Sequence, residues 1–205
     1  MVRRLSVLLI TEPEGKVEDA LGIAGRALQG GVNGIMVRRP RGTAREVFEM
    51  TRRLRPATRR MGCLLLVNDR IDVALAADAD GVHLGARSIP LAAARRILGP
   101  ERLIGCSVHN LDEAGQAEEG GANYLLLGPL FPTGSHPERP PLGLRAYREA
   151  VLRSEIPVLG LGGINRVNVN KVAEAGGPGV AAISAFYQAE DAAETARLFR
   201  AQFAT

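Results

Sequence analysis

The segment PVLGLGGIN at residues 157–165 decides the fold, because a short apolar run ends there in glycines and a small polar residue. GVAAISAF at 179–186 repeats this arrangement. Short apolar runs that alternate with segments of helical period are typical of parallel strands joined by crossover helices. Eight such strand and helix pairs can be read along the chain. The sequence therefore predicts a closed (β/α)8 barrel, the TIM barrel, as an α/β fold.

The element bounds follow from the apolar runs and from the helix start signals. The predicted strands lie at 5–11, 34–38, 63–67, 80–84, 103–107, 123–128, 157–161 and 179–184. The predicted helices lie at 16–29, 43–54, 70–77, 90–98, 111–119, 143–154, 166–175 and 188–202. Thr43 with Glu46 predicts a capping box, and Asn110 predicts a cap for the fifth helix. No linker or repeat interrupts the series, so one domain is predicted over residues 1–205.

A doubly wound sheet is the structural alternative, because GLGGIN at 160–165 partly matches a dinucleotide fingerprint. The match fails where Asn165 occupies the position of the third glycine, and no acidic ribose partner lies at the expected distance. The barrel therefore remains the preferred interpretation.

Composition limits the class of protein. The chain has 205 residues, 46% of them hydrophobic, which is enough for one sizeable core. A net charge of +4 comes from arginines that are spread along the chain, and three Tyr, five Phe and no Trp offer little for stacking on bases. We therefore expect no nucleic acid partner, while a modest positive field favours a phosphorylated substrate.

Two further features bear on location. Cys63 and Cys106 lie in or beside apolar runs and have no CxxC partner, which predicts buried thiols in a reducing cytoplasm. The apolar stretch near the start is too short for a signal peptide, and no run approaches the roughly twenty residues of a membrane span. The sequence predicts a cytoplasmic protein without membrane contact and leaves a homo-oligomer open.

Glycines and a serine at the last two strand ends predict a phosphate site. An oxyanion is bound well by backbone N–H groups, and glycine lets the backbone approach because it has no Cβ. Gly162 and Gly163 follow the seventh strand, and Ile183 and Ser184 close the eighth. The alternative is that the glycines only form a tight turn, yet two such loops side by side favour phosphate binding.

Histidine is the side chain best suited to proton transfer near neutral pH. His109 lies just past the fifth strand, where side chains face a ligand, and Ser107 precedes it on the same strand face, placed to orient it or to bind substrate. A loop histidine bonded to a backbone carbonyl is an equally good reading of His109. His83 lies in mid-strand, which favours a hydrogen-bonded wall residue.

Charged residues close the second and third strands. Arg38 is placed to bind an anionic substrate, whereas strand alternation directs Arg39 to solvent. Asp69, in the stretch Asn68-Asp69-Arg70, admits three roles: metal ligand, general base or helix cap. Without a second carboxylate nearby, the cap is favoured.

Five segments together resemble the thiamine phosphate synthase/TenI family. They are LLVNDRIDVALAADADGVHLG (64–85), IGCSVHNLDEA (104–114), YLLLGPLFPTGSHPERPPLG (124–143), PVLGLGGIN (157–165) and GVAAISAF (179–186). The resemblance covers most of the chain. It implies a (β/α)8 barrel, a thiazole phosphate ligand and a place in thiamine biosynthesis.

The resemblance also implies a choice between two reactions. Synthases of this family place Mg²⁺ with two aspartates, of which Asp69 matches the first, while GARS at 85–88 lacks the second. Synthases bind a pyrimidine diphosphate through Gln-x-Arg-x-Lys and Thr-x-Thr-Lys, where this chain has MVRRP at 36–40 and TGSH at 133–136. Only Arg38 and Thr133 remain of those donors, with Ser135 as a partial substitute. Losing these charges together removes most of the neutralisation that a diphosphate leaving group needs.

On this resemblance the predicted enzyme is a TenI-type thiazole tautomerase, an isomerase that aromatises a thiazole carboxylate phosphate without a metal or other cofactor. It implies that His109 is the acid–base group and that a small phosphorylated thiazole is the partner. The implied binding residues are Gly162, Gly163, Ile183 and Ser184 for phosphate, and Arg38, Asn68, Ser107, Thr133 and Ser135 for the rest of the substrate. The alternatives are a thiamine phosphate synthase with Mg²⁺ on Asp69, and a non-catalytic thiazole phosphate-binding regulator.

Overall fold

The computed structural model describes residues 2–134 and 140–203 and confirms the closed (β/α)8 barrel. Eight parallel strands pair in chain order, and the last strand pairs with the first. The strands are β1 Val7–Ile10, β2 Gly34–Val37, β3 Leu64–Asn68, β4 Gly81–Leu84, β5 Leu103–Val108, β6 Tyr124–Leu127, β7 Val158–Leu161 and β8 Val180–Ala182. The helices are α1 Val17–Gln29, α2 Ala44–Arg60, α3 Ile71–Ala76, α4 Leu91–Leu98, α5 Leu111–Glu119, α6 Gly143–Arg153, α7 Val169–Glu174, α8 Ser184–Tyr187 and α9 Ala192–Gln202.

Strand alternation divides the apolar side chains between two cores. In β3, Leu64 and Leu66 belong to the cluster inside the barrel, and Leu65 and Val67 pack between strands and helices. Successive side chains of a strand point to opposite faces, so every second residue faces inward. Toward the carboxyl ends of the strands, these inward positions change from apolar to polar residues. This geometry brings inward-facing polar residues to the carboxyl mouth of the barrel, and they are Arg38, Asn68, His83 and Ser107.

Two helices differ most from the sequence prediction. The capping box of Thr43 and Glu46 is confirmed, but α2 continues through Pro56 to Arg60. Leu54 remains buried on the inner face, and the guanidinium of Arg55 bonds both carboxylate oxygens of Asp80 at 2.9 and 3.0 Å.

The last predicted helix, 188–202, is wrong at its start, because the structure has two helices here. α8 begins at Ser184, directly after β8, and α9 begins after Asp191. The Asp191 carboxylate accepts a hydrogen bond from the Ala193 N–H at 2.7 Å, which favours a new helix start at that point. The turn after β8 is therefore shorter than predicted, and Ser184 lies directly at the mouth.

Both cysteines are free and buried, as predicted. Burial raises the pKa of the Cys63 thiol to about 12, with a smaller effect from Asp80, and burial raises that of Cys106 to about 11. Among residues 2–134 and 140–203, no helix combines the length and apolar character that crossing a membrane requires.

Candidate functional site

His83 is hydrogen-bonded in the barrel wall, as the sequence predicts, and both of its partners are hydroxyl groups. Its Nδ1 is 3.1 Å from the Tyr124 hydroxyl and its Nε2 is 2.8 Å from Ser107 Oγ. Burial, and then the nearby charge of Arg38, lower the pKa of His83 to about 3. The imidazole is therefore neutral at physiological pH and connects the barrel interior to the mouth.

Ser107 does not bond His109, although orienting His109 was one of the two roles that the sequence predicted for it. Its hydroxyl contacts His83 on the neighbouring strand. The expectation is wrong because β5 ends between the two residues: Ser107 belongs to the inward face of the strand, and His109 has already turned toward α5. Ser107 remains placed at the mouth, where its predicted contact with substrate stays a prediction.

His109 is tied to the first turn of α5. Its Nδ1 lies 3.0 Å from Glu113 Oε2, and the same oxygen accepts its backbone N–H at 2.8 Å. Partial burial acts to raise the pKa of Glu113, but hydrogen bonds from His109 and Asn110 outweigh it and leave that pKa below its usual value. The imidazole thus bonds a carboxylate, whereas the alternative reading from the sequence had been a backbone carbonyl.

Arg38 presents at the mouth a cation that pairs with no carboxylate of the described residues. Its backbone N–H donates to Thr11 Oγ1 at 2.8 Å, and that hydroxyl donates back to the Arg38 carbonyl at 3.2 Å. Within the described residues, the guanidinium forms no ion pair or hydrogen bond. Burial, and then the like charge of Arg87, lower the pKa of Arg38. Arg38 and Arg87 therefore add their positive charges on one side of the mouth.

Arg39 does not reach solvent as predicted. Its side chain is only 14% exposed, and Nη1 donates to the Gly15 carbonyl at 2.6 Å. The outward face of β2 is covered by the α1 and α2 layer, which explains why an outward direction leads into protein here.

Asp69 is not the predicted helix cap. Arg70 occupies the cap position of α3, where its side chain cannot cap the helix because a guanidinium has no hydrogen-bond acceptor, and it donates to Asp72. Asp69 has the left-handed φ of 66°, and its N–H donates to the His83 carbonyl at 2.9 Å. Its carboxylate is exposed and bonds no other described residue. Asn68, which pairs in register with His83, lies beside it at the mouth.

The predicted phosphate residues meet at a second part of the mouth. A cavity of about 600 Å³ is lined by Thr133, Gly163, Ile183 and Ser184. The N–H groups of Gly163 and Ser184 donate to no other described residue. Gly162 lies one residue behind, where an added Cβ would be 2.6 Å from the Pro129 Cβ. Ser135 and His136 lie outside the described residues.

Several cavity residues were missed from the sequence. Glu12 and Tyr187 line one side, although no chemical motif marks either position. Asn168 fixes the glycine turn, because its side-chain amide donates to the Gly163 carbonyl at 2.9 Å and its side-chain oxygen accepts the Asn165 N–H at 2.8 Å. The spacing of Asn165 and Asn168 is a signal that could have indicated this turn.

Comparison with known proteins identifies the family. The family profile described as thiamine monophosphate synthase matches residues 7–186, which is most of the chain. This chain belongs to the thiamine monophosphate synthase family. The match includes every strand of the barrel and both parts of the mouth.

Relatives match over nearly their whole length. A thiamine-phosphate synthase of Roseiflexus sp. (strain RS-1) is 44% identical over 97% of this chain and 85% of its own. One from Moorella thermoacetica is 42% identical over 94% of this chain and 92% of its own. The solved structure of a thiamine phosphate pyrophosphorylase from Pyrococcus furiosus superposes with a TM-score of 0.88 at 38% identity, covering 98% of this chain and 96% of that one.

These relatives overturn the predicted reaction. The interpretation as a thiazole tautomerase, an isomerase, is wrong, because the relatives that cover the chain at 42–44% identity are named synthases, which supports the alternative. The acid–base role of His109 was tied to the tautomerase and has no independent support. The tautomerase interpretation rested on family charges that are missing by motif position at 36–40, 85–88 and 133–136.

Proposed function

We propose that this protein is a thiamine-phosphate synthase, a transferase that joins hydroxymethylpyrimidine diphosphate to thiazole phosphate and releases diphosphate. The observation that carries the proposal is the 44% identity to a named synthase over 97% of this chain. The geometry supports it, because the mouth has two anion-binding regions of different construction, and this reaction brings together two phosphorylated substrates.

Thiazole phosphate is assigned to the cavity at β6, β7 and β8. Gly163 and Ser184 present open backbone N–H donors there, and the absence of a Cβ at Gly163 lets a phosphate oxygen approach the backbone. Thr133 adds a hydroxyl on the same cavity wall. This is the usual place for phosphate on a (β/α)8 barrel.

The diphosphate of the pyrimidine substrate is assigned to the opposite edge, at β2, β3 and β4. The charge of Arg87 is close enough to contribute to the lowered pKa of Arg38, and neither arginine forms an ion pair within the described residues. Two like charges held without a counterion favour binding of a multiply charged anion. Arg87 thus supplies charge in the loop where a second acidic residue was expected and not found.

The residues at this edge fit a magnesium ion that takes most of its ligands from substrate and water. Asp69 offers an exposed carboxylate with no hydrogen bond to other described residues, and Mg²⁺ is commonly bound by one or two carboxylates plus substrate phosphates. No group of three His, Cys, Asp or Glu side chains that could hold a metal by itself occurs in the described part of the chain. When bound, the ion neutralises charge on the departing diphosphate.

The residues of the chain then have separable tasks. The bond between the pyrimidine methylene carbon and the diphosphate oxygen breaks, and the thiazole nitrogen forms the new bond to that carbon. Arg38 and Arg87 offset the negative charge that develops on the leaving oxygen. The glycine and serine loops orient the thiazole so that its nitrogen faces the reacting carbon.

The decisive assay gives the purified protein both substrates with Mg²⁺ and measures thiamine phosphate and diphosphate by chromatography. We expect the two products in equal amounts, and we expect EDTA to stop the reaction. If neither product forms with both substrates saturating, the proposal is wrong.

A further inference from the structure

A chain of three polar side chains runs from the barrel interior to the mouth. Tyr124 is fully buried at the interior end, His83 in the middle is 2% exposed, and Ser107 is partly exposed at the end nearest the mouth. The distances of 3.1 Å from Tyr124 to His83 and 2.8 Å from His83 to Ser107 are those of real hydrogen bonds. We call these three residues the relay.

The ring nitrogens of His83 have different roles in the relay. Because the imidazole is neutral, one ring nitrogen carries a proton and donates while the other accepts. Two arrangements satisfy both distances: either Nδ1 accepts from Tyr124 and Nε2 donates to Ser107, or both bonds run in the opposite direction.

The buried phenol of Tyr124 decides between these two hydrogen-bond arrangements. Burial raises the pKa of Tyr124 well above its usual value, so its O–H is retained and needs an acceptor. The only hydrogen-bond partner of this hydroxyl among the described residues is His83 Nδ1. The opposite direction would leave a buried O–H unsatisfied, at a cost of about 1–3 kcal/mol. Tyr124 therefore donates to Nδ1, and the proton of His83 is on Nε2.

The direction of this relay determines what Ser107 presents to a ligand. Since Ser107 Oγ accepts the Nε2–H of His83, its own proton points away from the imidazole, and its partly exposed side faces the mouth. Arg38 also faces inward at the mouth, and its charge acts on His83, the hydrogen-bond partner of Ser107. A hydroxyl donor and a cation at the same mouth together suit an anionic oxygen.

We propose that Tyr124 and His83 are positioning residues that hold Ser107 as a one-way hydrogen-bond donor to a diphosphate oxygen of the substrate. The identity of that ligand rests on the proposed function, whereas the direction of the relay does not. Glycine at position 105 makes room for this arrangement, because a Cβ there would lie 2.0 Å from the Tyr124 Cζ.

The direction of the relay can be measured without any substrate. In protein labelled with ¹⁵N-histidine, we expect the His83 ring to show the Nε2–H tautomer and not to titrate between pH 5 and pH 8. The His83→Gln variant identifies its signals among those of the chain's three histidines. A Nδ1–H tautomer, or titration near pH 6.5, would overturn the proposal.

Binding of inorganic diphosphate, followed by calorimetry, tests the role of Ser107. We expect Ser107→Ala and Tyr124→Phe each to weaken binding by roughly tenfold, because a hydrogen bond to a charged group is lost or misdirected. The double variant should be no weaker than Ser107→Ala alone, since both changes remove the same contact. Thermal unfolding and circular dichroism establish that each variant is folded.

Tyr147→Phe is the matched control, because its hydroxyl is also buried but bonds the Val158 and Gly179 carbonyls behind the strands. We expect this change to lower stability and to leave diphosphate binding unaltered. Equal binding by Tyr124→Phe and wild type, or no effect of Ser107→Ala, would refute the relay even if thiamine phosphate is formed. Correct tautomer and binding results without product formation would instead refute only the proposed function.

Discussion

The two edges of the barrel mouth present different kinds of group to an anion. The edge at β2 to β5 presents side chains, with Arg38 and Arg87 as cations and the Ser107 hydroxyl bonded to a buried histidine. The edge at β6 to β8 presents the backbone N–H groups of Gly163 and Ser184. Side-chain charges depend on protonation and on rotamers, whereas backbone donors depend on φ and ψ. The same kind of substitution should therefore affect the two edges very differently.

The largest effect is expected where the backbone edge is crowded. Gly163→Ala places a Cβ at a φ of 66°, only 2.4 Å from the Pro132 carbonyl oxygen, so the loop must move. We expect kcat/KM for thiazole phosphate to fall by about a hundredfold, because small misplacements of binding groups are costly. Steady-state kinetics at saturating pyrimidine diphosphate measures this.

Gly121→Ala is its control, with a φ of 90° but no atom within 4 Å of the added Cβ. It should lose some stability and keep the KM for thiazole phosphate. A Gly163→Ala enzyme with wild-type KM would mean that this edge does not bind phosphate through its backbone.

A pH effect on stability should come from the side-chain edge. The pKa of His83 is about 3 in the folded chain and about 6.5 when unfolded, so the unfolded state binds more protons between these values. Stability is full above pH 6.5 and falls as the pH drops toward 3. Between pH 7 and pH 5 we expect His83 to account for a loss of about 2 kcal/mol.

Urea unfolding of wild type and His83→Gln at both pH values measures that contribution as a difference. The variant should show a smaller loss of stability between pH 7 and pH 5. If the two proteins lose the same amount, His83 is not buried in its neutral form.

The Arg87→Gln variant tests whether side-chain charge at the β2 to β5 edge contributes to binding the pyrimidine diphosphate. For Arg87→Gln we expect kcat/KM for the pyrimidine diphosphate to fall roughly tenfold, with the KM for thiazole phosphate unaltered, because one charged hydrogen bond is lost. The effect should shrink at high salt.

The exposed Arg96 of α4 forms no ion pair within the described chain, so Arg96→Gln removes the same charge away from the mouth. It should behave as wild type. Equal losses in both variants would indicate a general effect of net charge and not a binding contact.

The smallest effect is expected at His109. Joining the two substrates requires no proton shuttle, so His109→Gln should retain activity within about threefold, far less than the hundredfold or more that general acid–base catalysis contributes. Quantifying thiamine phosphate formation at saturating substrates checks this. A loss of two orders of magnitude would restore a proton-transfer role on the side-chain edge.

Most of the barrel could be predicted from local pattern, and the errors have identifiable causes. The predicted strand at 34–38 differs from β2 only by the last residue, because apolar runs bounded by glycine and charge mark a buried strand well. The extension of α2 past Pro56 could not be predicted, since Thr58 and Arg59 beyond the proline are buried by, or bonded to, other elements of the fold. The helix cap assigned to Asp69 failed because the carbonyl of His83, on another strand, binds its N–H.

The sequence by itself determined the eight-fold alternation and many of the polar residues at the mouth, because apolar period and strand-end chemistry are local properties. Only the tertiary structure decided which of those residues act together. It paired His83 with Tyr124 and Ser107, and it placed Arg87 near Arg38. Such partnerships arise from the closure of the barrel, which brings distant strand ends within hydrogen-bond distance, and hydrogen bonds and charge effects depend on distance in space and not along the chain.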